Sequence, residues 1–221
     1  MRRICSFLVV FAVVFLLSGC GITDNNHGKS VIQMQLDIPV YSSPDNSFPL
    51  MVNGEAVSLD ADPLQVGDVL DDVVLDMPAP TFDTVESMQL SDLTGYTMIY
   101  TLPSLDTPVC TRQTQELQAA AELFPEVNFV VISADTPFAL NRFCIDKDIT
   151  TVTTLSDART RAFAQTHGFY LPAYGLLARA VMVINNNLEV LYVDYVQEVT
   201  AEVDLLNAFA YLNYLGLMEE K

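Results

Sequence analysis

Positive charge is scarce in this chain of 221 residues, where ten Lys and Arg stand against 28 Asp and Glu for a formal charge of −18. That balance excludes nucleic acid and the anionic face of a bilayer as partners, since both require a cationic surface. Charge of either sign is limited to 17% of residues, whereas the apolar set AVILMFWYC reaches 51%, which excludes wholesale disorder. Histidine is nearly absent. Neither His27 nor His167 has cysteine or carboxylate neighbours at metal-ligand spacing, so neither a metal nor any other cofactor is expected. The four cysteines, Cys5, Cys20, Cys110 and Cys144, include no Cys-x-x-Cys pair. There is no internal repeat, and the length admits one domain with a terminal extension. The apolar run from Ile4 to Leu17, broken by Ser6, is too short for a membrane span.

What is present begins with an address. Arg2 and Arg3 ahead of that run give the layout of a secretory signal. The run ends in Leu17, Ser18, Gly19 and Cys20, which resembles the bacterial lipoprotein cleavage box. That resemblance implies removal of residues 1–19, a lipid on Cys20, and a chain held by its anchor in the bacterial envelope, at the outer membrane if the cell has one. An ordinary signal with an incidental cysteine is the alternative. Cleavage leaves 202 residues (221 minus 19) and removes Cys5, Arg2 and Arg3, so eight basic residues face 28 acidic ones, or −20. Residues 20–47 are rich in Asp, Asn, Ser, Gly and Pro and read as a tether. Within it Ile32, Met34, Leu36, Ile38 and Val40 alternate as in a strand.

Residues 48–221 read as the folded domain. Asn53 and Gly54 predict a tight turn in an N-terminal hairpin. Next come a strand at 97–101, a loop to Val109, a helix at 111–124, a strand at 127–133 and a helix at 137–146. A further helix is expected over 156–167, capped by Ser156, then a hairpin of 178–184 and 188–196 joined by three asparagines. The last helix is expected to be capped by Thr200. Strand, helix, strand, helix, hairpin, helix is the order of a thioredoxin-like α/β fold, a central mixed sheet flanked by helices.

Chemistry is expected where the first long strand passes into its helix. A cysteine becomes nucleophilic when its thiolate is stabilised, and a helix start does this through its dipole and unpaired N–H groups. Cys110 lies there, after Pro103, Ser104, Leu105, Asp106, Thr107, Pro108 and Val109. Arg179 stands among Leu176, Leu177, Ala180, Val181 and Met182, an apolar stretch in which a guanidinium needs a buried anionic partner. Asp71 and Asp72 read as a solvated turn.

Pro103 to Cys110 matches the Pro-x-x-x-Thr/Ser-x-x-Cys motif, and the chain resembles the thiol peroxidase branch of the atypical two-cysteine peroxiredoxins. Ser133 to Cys144 (SADTPFALNRFC), Gly175 to Val181 (GLLARAV), Gln197 to Asp204 (QEVTAEVD) and Gly54 to Asp68 (GEAVSLDADPLQVGD) carry the same resemblance. It implies that Cys110 attacks a hydroperoxide, hydrogen peroxide or an alkyl hydroperoxide, and becomes a sulfenic acid. Thr107 would bind and orient the peroxide, Pro103 would shield the sulfur, and Arg179 would stabilise the thiolate and the leaving oxygen. Cys144 would resolve the sulfenic acid as a disulfide, which a thioredoxin-like donor would reduce. A homodimer is implied as well. After Val66, Gly67 and Asp68 the family continues Ala-Pro-x-Phe, whereas this chain has Val69, Leu70, Asp71, Asp72 and Val73.

Two other readings stand beside this one. In an envelope disulfide oxidoreductase the redox motif would be Cys-x-x-Cys, but Thr111, Arg112 and Gln113 follow Cys110. In a binding lipoprotein, Cys110 and Cys144 would form a permanent bridge, closing a loop worth about 3–4 kcal/mol in the chain-entropy model.

Overall fold

The computed structural model describes residues 42, 44, 46 and 49–217. The signal segment, Cys20, His27 and the alternating segment 32–40 lie outside the described residues. In chain order the elements are β1 (Met51–Val52), β2 (Glu55–Ala56), β3 (Val74–Asp76), β4 (Ser87–Gln89), β5 (Tyr96–Leu102) and α1 (Pro108–Ala120). There follow β6 (Val127–Ser133), α2 (Pro137–Lys147), β7 (Thr153–Ser156), α3 (Ala162–Thr166) and β8 (Tyr170–Leu171). The chain ends in β9 (Leu176–Leu177), β10 (Ala180–Ile184), β11 (Val190–Tyr195) and α4 (Leu205–Tyr214).

Seven strands form one mixed sheet in the order β11-β10-β5-β6-β7-β3-β4. Its centre is parallel, β5 beside β6 and β6 beside β7, while β10 and β3 join antiparallel. Alternation along the strands divides the core. Met98, Tyr100 and Leu102 of β5, with Phe129 and Val131 of β6, face a cluster that also holds Leu117 of α1, Leu140 of α2 and Phe209 of α4. Ile99, Val130 and Ile132 point the other way, to Phe163, Phe169 and Leu171. Both described cysteines lie on the first of these sides, Cys110 within the core and Cys144 packed against it. This is the thioredoxin-like α/β arrangement that the element order predicts.

The N-terminal hairpin turns where expected, with Asn53 at φ 53° and Gly54 at φ 79°, the left-handed pair that a tight two-residue turn requires. The Glu198 carboxylate accepts from both turn N–H groups at 3.0 Å, and Met51 exchanges backbone bonds with Gln197 and Val199. The hairpin is thereby fixed beside the segment after β11. Ser42 and Asn46, in the stretch read as tether, bond to Asn207 of α4 and to Val193 and Tyr195 of β11.

Several boundaries differ from expectation. Where a helix is expected over 156–167, Ser156 ends strand β7, residues 158–160 form a turn and the helix spans only Ala162–Thr166. Thr153 and Thr154 are β-branched and pair with β6, and Asp157, not Ser156, accepts from the Phe163 and Ala164 N–H groups at 3.2 and 2.9 Å. Helix α1 begins at Pro108, since proline has no N–H to lose at the first helical position. Asp204 caps α4 through the Asn207 N–H at 3.0 Å, while the Thr200 hydroxyl donates to Glu198 at 2.7 Å. Arg179 lies in the connection between β9 and β10 and not within a strand. In the 69–73 stretch Leu70 is buried, Asp71 gives its N–H to His167 Nε2 at 2.9 Å, and Asp72 accepts from Ser91. Burial holds His167 below the usual histidine range, consistent with a neutral ring whose Nδ1 donates to the Phe163 carbonyl at 2.9 Å.

Candidate active site

Helix α1 has Thr107 as its N-cap, and its first intrahelical bond runs from the Thr111 N–H to the Thr107 carbonyl at 3.0 Å. The amides of Val109 and Cys110 precede that bond, so they belong to the unpaired set at a helix start. Cys110 thus sits in the first turn, and its side chain is wholly buried. Burial alone would oppose a charged sulfur.

The counterweight is Arg179, itself only 2% exposed. Its Nη2 donates to Cys110 Sγ at 3.3 Å, its Nε donates to the Val199 carbonyl at 3.0 Å, and its Nη1 donates to the Tyr100 hydroxyl. Among the described residues the arginine ion pairs with carboxylates are those of Arg112 and Arg159. The Cys110 sulfur is thus the side-chain partner, besides the Tyr100 hydroxyl, that the described structure gives this buried guanidinium.

Tyr100 completes this layer. Its hydroxyl accepts from Arg179 and donates to Gln113 Oε1 at 2.8 Å, and Gln113 Nε2 donates to the Val203 carbonyl at 2.8 Å. Burial pushes the phenol well above the ordinary tyrosine range, so Tyr100 stays a neutral donor and acceptor. Nothing in the sequence pattern separated Tyr100 from its apolar neighbours on β5. The only hint was a hydroxyl on a strand whose every other residue from 97 to 102 is also buried.

Beside Arg179 and the start of α1 lies a cleft of about 320 Å³, with Cys110 buried behind its lining. Pro103, Thr107, Pro108 and Val109 form one wall, Leu171, Tyr174 and Leu176 of the small β8–β9 hairpin another, and Val52, Val199 and Thr200 a third, with Arg179 in the lining. The structure brings Pro103, Thr107, Cys110 and Arg179 together. The contributions of Val52, Leu171 and Tyr174 were not anticipated, because each comes from a short hairpin packed far from the motif in sequence.

The loop above Cys110 is fastened by its own hydroxyls and by one carboxylate. Thr107 Oγ1 donates to the Ser104 carbonyl at 3.1 Å, and Thr111 Oγ1 donates to the Leu105 carbonyl at 2.8 Å. Asp135, at the end of β6, accepts from Ser104 Oγ and from the Leu105 N–H at 2.8 and 2.7 Å.

Cys144 stands apart, on α2. It is half-buried, a free thiol like Cys110, and its sulfur lies 3.2 Å from Thr154 Oγ1 of β7. Desolvation raises its pKa above the ordinary thiol value, with the Thr154 contact opposing in part. No group of three His, Cys, Asp or Glu side chains suited to a metal occurs among the described residues.

Comparison with known proteins gives consistent matches. Residues 67–193 match the AhpC/TSA family. The chain is 37% identical over 147 residues to a thiol peroxidase of Clostridium acetobutylicum, an alignment covering 66% of this chain and 87% of that one. It is 38% identical over 148 residues to a thiol peroxidase of Bacillus subtilis, covering 66% and 86%. Among solved structures, a peroxiredoxin-like protein from Aquifex aeolicus superposes with a TM-score of 0.64 at 31% identity, covering 74% of this chain and 95% of that one. A thiol peroxidase from Chromobacterium violaceum gives a TM-score of 0.65 at 21% identity, covering 77% and 97%, a likeness of fold.

Proposed function

Because the chain belongs to the AhpC/TSA family and is a peroxiredoxin-type enzyme, we propose that it reduces hydrogen peroxide and alkyl hydroperoxides through Cys110 and Cys144. The observation that carries this reading is the buried guanidinium of Arg179 donating to Cys110 Sγ at 3.3 Å while lining a cleft with Pro103 and Thr107.

The Cys110 thiolate attacks the terminal oxygen of the hydroperoxide in line with the O–O bond. That bond breaks, sulfur is oxidised to the sulfenic acid, and the alkoxide or hydroxide leaves and takes up a proton. Thr107 commits its proton to the Ser104 carbonyl, so its lone pairs accept the peroxide O–H. Arg179 uses three N–H groups within the protein and keeps others for the developing charge on the leaving oxygen. Pro103 covers the approach of water to the sulfenic acid.

Cys144 then loses its proton and attacks the Cys110 sulfenic sulfur. A disulfide forms and hydroxide departs as water. Both sulfurs sit in helices, so the S–S bond requires unwinding around at least one of them. A thioredoxin-like dithiol donor returns two electrons and restores both thiols. The apolar cleft walls suit an alkyl chain. The working unit is a pair of chains, which light scattering would report.

A coupled peroxide-consumption assay tests the reading. Cys110→Ser is expected to abolish consumption, and full activity in that variant would refute it. We further propose that Cys20 carries the lipid and anchors the domain in the bacterial envelope. Labelled fatty acid is expected to enter the wild type and not Cys20→Ser; equal labelling would contradict the anchor.

A further inference from the structure

We propose that Asp135 is a positioning residue that latches the Cys110 loop in its reactive form and must let go for the disulfide with Cys144 to form. This rests on the peroxidase reading above. The carboxylate gives one oxygen to Ser104 Oγ at 2.8 Å and the other to the Leu105 N–H at 2.7 Å and to Ser133 Oγ at 2.8 Å. Through these two residues it governs the catalytic ones. The Ser104 carbonyl receives both the N–H of Thr107, at 3.2 Å, and its hydroxyl, at 3.1 Å. Leu105, 2% exposed, receives the Thr111 hydroxyl from the first turn of α1. Pro103 and Thr107 therefore lie in one loop, leading into the first turn of α1 and Cys110, whose only described carboxylate anchor is Asp135.

The same residue joins the other half of the reaction. Asp135 is followed by Thr136, the N-cap of α2, which accepts from the Ala139 N–H at 3.3 Å and begins the helix that carries Cys144. The Asp135 carbonyl accepts from Ser156 Oγ at 2.6 Å, which fixes the backbone to β7 separately from the carboxylate. The side chain is thus free to hold or release the Cys110 loop while its own backbone stays in place. Hydrogen bonds to a carboxylate are stronger than those between neutral groups, which suits a catch that keeps the thiolate form organised. Releasing it frees the loop that leads into the first turn of α1, where Cys110 sits.

Two measurements on the mature chain test this: the rate of Cys110 oxidation by hydrogen peroxide, and the fraction of Cys110 driven on to sulfinic acid in each turnover. In Asp135→Asn one acceptor becomes an NH2 facing a donor, so the reactive loop opens more often. Both readouts are expected to fall about fivefold, the effect of losing one ordinary hydrogen bond. Ser104→Ala is expected to move both in the same direction by less. Ser156→Ala, which removes the backbone anchor and the acceptor of the Ala158 N–H but no bond to the Asp135 carboxylate, is expected to lower thermal stability and leave both unchanged. The latch is overturned if Asp135→Asn lies within twofold of wild type on both readouts, or if Ser156→Ala shifts them equally. Should Asp135→Asn not fold, Ser104→Ala decides, and unchanged values there overturn the latch. A wild-type chain that does not oxidise Cys110 at all counts against the peroxidase reading instead.

Discussion

Cys110 and Cys144 share one side of the sheet yet occupy opposite electrostatic settings. Cys110 is wholly enclosed, at a helix start, with a guanidinium at 3.3 Å. Cys144 lies well inside α2, half in solvent, with a neutral hydroxyl at 3.2 Å and a pKa raised by desolvation. Burial alone does not decide the character of a thiol. The more buried of the two is the one given a cation, at 3.3 Å from its sulfur. The chain as a whole is strongly acidic, but salt screens distant charges over about 8 Å, so the local cation and helix start set the chemistry.

The difference can be broken most completely at Cys144. In Cys144→Ser the first oxidation of Cys110 is expected to keep its wild-type rate, while steady turnover with a dithiol donor through the intramolecular disulfide is lost; stopped-flow and coupled assays separate the two. Next in size is Arg179→Met, which removes the guanidinium that Cys144 lacks. Peroxide oxidation of Cys110 is expected to slow by about 10²–10³-fold, as when a preorganised donor to developing charge is deleted.

A smaller effect, on pH, sharpens the contrast. Because desolvation raises the Cys144 pKa, its thiol is protonated at neutrality, and the reactive thiolate fraction grows as pH rises toward that pKa. The resolving step is expected to quicken roughly tenfold per pH unit from 7 upward until that pKa is reached. A pH-independent rate of disulfide formation would contradict the assignment.

The smallest effect comes from a site on neither thiol. Burial raises Asp157 to about 6 while it accepts from the start of α3. The folded chain then holds this proton where the unfolded chain, near the ordinary value of about 3.9, has lost it, so Asp157 contributes less stability as pH rises from 4 through 6. Asp157→Asn is expected to remove that slope, which denaturant titration would show as a change of about 2–3 kcal/mol in its stability relative to wild type between pH 4 and 7. Neither thiol's reactivity should change.

The sequence was most informative where a local rule sufficed. The Asn53–Gly54 turn, β5, β6 and α2 were readable from turn chemistry and apolar period. So was the neighbourhood of Cys110, because a strand, a proline-bearing loop and a helix start follow directly along the chain. Strand β7 was missed because it is short, rich in threonine and stabilised by pairing with β6, which lies more than twenty residues away. Tyr100, Asp135 and the cleft walls escaped for the same physical reason. Tyr100 is distinguished only by Arg179 arriving from 79 residues on, and Asp135 only by a loop about 30 residues back. Arg179 itself was legible as a misplaced charge in an apolar stretch, although its place in the connection between β9 and β10 was not.

The contrast between the two thiols is tested most directly by adding one equivalent of hydrogen peroxide to the fully reduced chain and reading thiols and peptide masses. The account predicts loss of both thiols together and a Cys110–Cys144 disulfide lighter by two hydrogens. Two thiols surviving unchanged, or oxidation beginning at Cys144, would contradict it.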